Sequence, residues 1–288
     1  MSDLTVDKKN IPKREIIIAI IIMLFLAALD LTILPAILFN EIEVLDINPI
    51  YFSLIINQWF LIIVGLLLIK FLCPNLVLNL EKTNLGKALK KYLPVSIIIS
   101  LIAGSAYYLG FLNKYDYNPT FLKVFIEMFV YNLSVGFLEE LYVRGLLLNL
   151  LVLALINKKN GTLKAILISS IIFSLGHIPG MLNSDFLIVI MRLIWILMLG
   201  VYFGVIYKTS NNLWVPIISH AIINFSGLAF SFTTESEFPL VSVIILAATS
   251  LVLGLLSIYY FIKKDKSLEL IESNKNNKIG YKNDWIKR

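Results

Sequence analysis

An all-α, polytopic membrane protein, a single bundle of about eight transmembrane helices, is the fold this sequence predicts. Three observations lead there. Hydrophobic residues make up 58% of the 288 and charged residues only 15%, where a soluble domain carries about a quarter charged. Mean hydropathy is +0.84. Apolar windows long enough to cross a bilayer recur along the chain with only short polar gaps between them. Each window is read as a helix, because an isolated strand would leave its backbone groups unsatisfied in lipid.

The windows fall at 15–39, 50–73, 93–112, 120–157, 162–179, 185–207, 212–231 and 238–262. The first contains Asp30 and is too long for a signal-peptide core, so it is read as retained. The second ends at Cys73, whose solitude excludes an internal disulfide or a multi-cysteine metal site. The third is a plain apolar run after a lysine cluster. The fourth, as one straight helix, would reach about 55–60 Å, beyond a bilayer of about 40–45 Å with its headgroups. It is expected to tilt, to project, or to break near Gly136. Within it, Glu127 has Lys123 one turn earlier and is placed near the outer headgroups. The fifth is closed by Pro179 and Gly180. The sixth carries Arg192 at a depth comparable to Asp30, which predicts a structural ion pair. The seventh and eighth complete the count. Asn57, Gln58 and Asn132 are expected to hydrogen bond between helices, and Trp59, Trp195 and Trp214 to serve as packing or interface anchors. The organisation that follows is a cytoplasmic N-terminus (1–14), N-terminal helices (15–119), a core that carries the chemistry (120–231), a last helix (232–262) and a basic cytoplasmic tail (263–288).

Charge fixes the orientation. With eight crossings, one side receives Lys8, Lys9, Lys13, Arg14, Lys82, Lys87, Lys90, Lys91, Lys158, Lys159, Lys164, Lys208 and the basic tail. The other receives Glu41, Glu43, Asp46, Asp116, Asp185, Glu235 and Glu237, with Lys114 as its one cation. The positive-inside rule then puts both termini in the cytoplasm. The net charge of +6 is explained by these inner loops and the tail, which can also touch anionic lipid; no nucleic-acid partner is needed.

Ionisable groups at membrane depth are costly and tend to face a protein interior or a water-filled cavity. The only two histidines, His177 and His220, both lie in apolar windows, and a third window carries Glu139, Glu140 and Arg144. On a helix, residues four apart share a face, so Glu140 should pair with Arg144. Neighbours differ by about 100° around the axis, which leaves Glu139 pointing elsewhere as a candidate general base. Phe173 and His177 are four apart, as are His220 and Asn224; an amide beside an imidazole could orient the ring or help hold an oxyanion. Together these groups are what water activation and oxyanion stabilisation require for amide hydrolysis. Depth counts from the basic ends give Glu139 about 25 Å, His177 about 20 Å and His220 about 12 Å, a scatter that tilt or a break must absorb.

Glu-Glu-x-x-x-Arg at Glu139–Arg144, Phe-x-x-x-His at Phe173–His177 and His-x-x-x-Asn at His220–Asn224 resemble the three ordered motifs of the CAAX protease and bacteriocin-processing (CPBP) family. That family includes prenyl-protein CAAX endopeptidases and bacterial proteins tied to bacteriocin self-immunity. The resemblance covers roughly 120–230. It implies that Glu139 activates water with help from His177, that His220 and Asn224 form the oxyanion hole, and that Glu140, Arg144 and Phe173 support them. The family has been described both as a metalloprotease and as a metal-free, glutamate-dependent protease. The metal-free form is expected here; if zinc is present, its ligands would be Glu139, His177 and His220.

The reading is an intramembrane endopeptidase acting on a membrane-associated peptide or protein, of CAAX type or a bacteriocin or other peptide precursor. Two other classes stay open at this point: a proton- or ion-coupled transporter that uses the same groups as relays, and a non-catalytic bacteriocin immunity protein. The abundance of Lys, Ile and Asn fits an AT-rich bacterial genome, and so a multi-pass protein of a bacterial plasma membrane.

Overall fold

The computed structural model describes residues 49–73, 76–81, 84–112, 120–233 and 237–284, together with Ile17 and Ile21. The first window, with Asp30, and the 1–14 segment lie outside the described residues. All regular structure among the described residues is helical. In chain order it comprises α1 (Pro49–Leu72), α2 (Leu85–Gly110), α3 (Phe121–Glu140), a π-helical stretch (Leu141–Leu148), α4 (Asn149–Ala154), α5 (Gly161–Leu175), a 3-10 turn (Ile178–Met181), α6 (Phe186–Ser210), α7 (Trp214–Asn224), a second 3-10 segment (Phe225–Phe232) and α8 (Leu240–Asp284).

Six helical runs among the described residues are long and apolar enough to cross a membrane. Of the eight expected crossings, the one at 15–39 lies outside the described residues, and the window at 162–179 becomes a helix of only 15 residues. At 1.5 Å per residue it covers about 22 Å, short of a hydrocarbon core of about 30 Å. The chain continues through the 3-10 turn instead. The window at 120–157 does not break at Gly136: Phe121–Ala154 is one helical run, widened over Leu141–Leu148 into a π-helix. A Cβ on Gly136 would stand 2.9 Å from the Ile217 carbonyl oxygen of α7, so this glycine permits close helix contact rather than a break. α2 begins at Leu85, ahead of the expected 93, because lysine is a good helix former that a hydropathy window cannot see. For the same reason α8 continues past residue 262 to Asp284.

α7 sits at the centre, packed against α3, α2 and α6. α6 lies between α5 and α8, and α1 covers α3. Gly200 and Gly204 form a small-residue face on α6 that meets Ser170 and Ile166 of α5 at 3.0 and 2.9 Å from their would-be Cβ atoms, the spacing by which membrane helices approach closely. The basic ends meet at one end of the bundle. Lys208 Nζ donates to Asn149 Oδ1 (2.6 Å) and Lys264 Nζ to the Thr209 carbonyl (3.1 Å), while Lys91 donates to the Tyr260 hydroxyl. There the segment 76–81 straps the α6–α7 turn: Trp214 Nε1 donates to Leu80 O at 2.9 Å and the Asn212 amide to Glu81 O at 2.7 Å.

Of the isolated polar residues, Gln58 accepts from Ser134 across α1 and α3 as expected. Asn132 instead donates to Met128 O of its own helix (2.7 Å). Glu127 is buried within the protein at 8% exposure. Trp59 and Trp214 both pack on Phe137, and Trp195 on Phe238.

Candidate active site

The chemistry-bearing residues come from α3, α5 and its following turn, α6 and α7. Arg144, on the first turn and a half of the π-helical stretch, donates from Nη1 to Glu140 Oε1 at 2.8 Å, with both side chains fully buried. This is the pairing that the spacing requires. Arg144 does more than close one ion pair. Its second amino group donates to the Gly200 carbonyl (2.9 Å), and its guanidinium lies 4.8 Å from the Phe173 ring centre and 5.4 Å from that of Phe203. A guanidinium is planar and weakly hydrated, so aromatic faces and a carbonyl can house it where a lysine would fit poorly. Widened π turns concentrate at functional sites, and this one starts directly after Glu139 and Glu140.

Glu140 also accepts from His220 Nδ1 at 2.8 Å through the same Oε1. The His220 ring is held from a second direction by Phe203, stacked at 4.7 Å with 13° between planes. With Nδ1 committed, His220 Nε2 faces Glu139 Oε2 at 3.4 Å. His177 lies just beyond the end of α5, not on its helical face as the spacing predicts. Its Nδ1 still reaches back to the Phe173 carbonyl (2.8 Å). A carbonyl only accepts, so the proton sits on Nδ1, and Nε2 is left facing Glu139 Oε1 at 3.8 Å. Phe173 is set edge-on to His177 (4.7 Å, 83°).

Glu139, His177 and His220 are therefore brought together around one carboxylate, each imidazole at a different oxygen. The depth counts had spread them, because they assumed straight rods along the membrane normal. The π-helical stretch and the early end of α5 are departures from straight rods in this region. Burial grades across the cluster: Glu140 0%, His220 5%, Glu139 and His177 each 28% exposed. Asn224 is half-buried one turn after His220 on α7 and hydrogen bonds to none of these groups. Phe203 and Gly200 had no place in the sequence reading. The Gly200–Gly204 spacing was a usable sign of a close helix approach; an apolar Phe203 within an apolar helix gives none.

As residues, the zinc set Glu139, His177 and His220 is assembled. Among the described residues, however, no group of three or more His, Cys, Asp or Glu side chains is arranged to hold a metal ion. Each imidazole addresses its own oxygen of Glu139 rather than a common point, which is not the convergence of ligands on one centre that zinc takes.

What the arrangement offers chemically is a half-exposed carboxylate beside one imidazole with a free lone pair and a second imidazole held by a buried carboxylate. The comparisons with known proteins bear on the same stretch. Residues 120–226 match the family model described as Type II CAAX prenyl endopeptidase Rce1-like, a match that opens at α3 and closes just after Asn224. No curated protein matches the chain.

Proposed function

We propose that this multi-pass membrane protein, whose residues 120–226 are an Rce1-like domain of the CAAX protease family, is an intramembrane endopeptidase with Glu139 as its base. The observation that carries the reading is the convergence of His177 and His220 on the two oxygens of Glu139, at 3.8 and 3.4 Å. A water between Glu139 and His177 would lose a proton to the Glu139 carboxylate. Its oxygen would attack the scissile carbonyl carbon, and His177 Nε2, the acceptor left by the Nδ1 bond to Phe173, would hold the water's second hydrogen.

The oxyanion then needs donors. His220 already donates from Nδ1 to Glu140, so in this scheme it donates from Nε2 as the doubly protonated ring. The Asn224 amide is the second donor, reached when substrate is bound. Collapse of the tetrahedral intermediate breaks the C–N bond; the proton held on Glu139 passes to the departing amine, and a new carboxylate is released. Glu140 and Arg144 set the position of His220 and do not touch substrate. The reaction is metal-free in this scheme, both termini are cytoplasmic, and the substrate is a membrane-associated peptide or protein.

Glu139→Gln and His177→Ala should each abolish cleavage, a loss of about 10²–10⁴-fold for a general base, while the protein stays folded and membrane-inserted. The assay is comparative peptidomics of membranes carrying wild type or variant, repeated with a chelator. Full activity in Glu139→Gln would remove the mechanism, and chelator-sensitive cleavage would remove its metal-free form.

A further inference from the structure

One charged side chain within the bundle has no part in the scheme above. Arg192 lies on α6 inside a membrane-spanning run, and its Nε is buried without a hydrogen-bond partner among the described residues. Its guanidinium rests over the Phe238 ring at 4.2 Å, beside Trp195, which packs on the same ring. None of the described ion pairs includes it. Asp30, its expected partner, lies outside the described residues. Tyr107 lies near enough to interact with Arg192 electrostatically, but among the described residues no hydrogen bond takes up its planar fork of donors, the geometry that takes a carboxylate in bidentate fashion.

Its position relates it to the catalytic cluster. Ser174 Oγ donates to the Leu193 carbonyl (2.9 Å), which pins α6 to α5 one residue from Arg192 and three residues before His177. One turn along α6, on the same face, Ile196 packs against Phe173 and Val143, and Phe203 lower on that face stacks on His220. The stretches that precede Ile196 and follow Asn224 are only partly covered. α6 has no buried residue before Ile196, and the 3-10 segment Phe225–Phe232, which follows Asn224, has none at all.

We propose that Arg192 is an anion anchor for the substrate: it takes a carboxylate of the peptide lying in the less buried half of the bundle, and so fixes which bond is presented to Glu139. This rests on the endopeptidase reading for its purpose, but the binding can be tested apart from cleavage. The carboxylate could be the peptide's free C-terminus or an acidic side chain near the cleaved bond.

The full-length Glu139→Gln protein in detergent micelles separates binding from turnover. Three short dansyl-labelled Leu/Ala peptides serve as probes: one with a free C-terminal carboxylate, the same peptide amidated, and the amide carrying one Glu. Fluorescence titration should show the carboxylate-bearing probes binding about tenfold or more tightly than the plain amide. Which of the two gains identifies the source of the carboxylate. Adding Arg192→Gln should bring all three to within about twofold, and Arg192→Lys should keep part of the preference. Equal binding of the three probes, or a preference that survives Arg192→Gln, overturns the anchor. So does the outcome expected of a structural Asp30–Arg192 pair, in which Arg192→Gln and Asp30→Asn lower thermal stability alike and neither changes the ratio between probes. Failure of wild-type protein to cleave any peptide would count against the hydrolase reading and leave the binding ratio as a separate result.

Discussion

From Glu140 to Leu150 every residue is buried, whereas from Phe225 to Phe232 not one is. Both stretches adjoin the candidate site in sequence: the first begins directly after Glu139, and the second directly after Asn224. Glu139 and Glu140 are adjacent in sequence, yet one is 28% exposed and the other fully buried. The difference teaches why two glutamates stand together. The inner one can be spent on structure, neutralising Arg144 and steering His220, only because the outer one is left free to meet substrate and water. In the proposed reaction the closed half would fix the geometry, and the less buried half would admit the peptide.

Removing Glu140 should break the closed half most severely. Glu140→Ala leaves Arg144 buried without its counter-charge, and loss of one partner of a buried pair costs about 3–5 kcal/mol. The expected result is a large drop in the thermal unfolding midpoint in detergent, together with loss of cleavage as His220 loses its Nδ1 acceptor. The double variant Glu140→Leu/Arg144→Leu separates the two effects. It should recover much of the stability, because apolar replacement of a whole buried pair is often neutral, and recover none of the activity. A double variant as unstable as the single one would mean that the pair's charge is not what the fold depends on.

How much of this could be read from the residues follows the same division. The Glu140–Arg144 pair is local, set by helical spacing, and so was legible. The six long spans are legible as windows of apolarity, but hydropathy carries no information on backbone hydrogen bonding. It could not distinguish α5, which stops at Leu175, from a full crossing, nor see the π-helical stretch or the 3-10 segment after Asn224. Straight-rod depths take no account of such irregularities or of helix tilt, and so they scatter Glu139, His177 and His220, which the structure brings together. The Glu140–His220 bond joins residues 80 apart and has no local trace.

A smaller effect is expected at Gly136, where the closed half depends on contact rather than charge. In Gly136→Ala the new methyl group would meet the Ile217 carbonyl at 2.9 Å and the Ala221 amide nitrogen at 3.1 Å. Both are backbone atoms of α7 and cannot rotate away, so α3 and α7 must move apart. Overpacking of this kind costs about 1–3 kcal/mol. Because His220 precedes Ala221, the displacement should also lengthen the approach of His220 to Glu139. Thermal unfolding read beside cleavage rate should show activity falling more than stability; an unchanged rate would show that the inter-helix distance at this level is not critical.

The least change should come from the same substitution in the less buried half. A Cβ on Gly227 meets nothing within 4 Å, although this residue lies only three positions beyond Asn224. Gly227→Ala introduces no clash and deletes no contact, so stability should move by no more than about 0.5 kcal/mol, the range of substitutions away from packed features. Cleavage is the informative readout, because a methyl group here would project into the region assigned to the peptide. A variant of wild-type stability with raised KM and unaltered kcat is expected, since the methyl group would hinder binding without touching Glu139, His177 or His220. Loss of stability at Gly227 comparable to that at Gly136 would erase the contrast between the halves and, with it, the reason for placing substrate above Asn224.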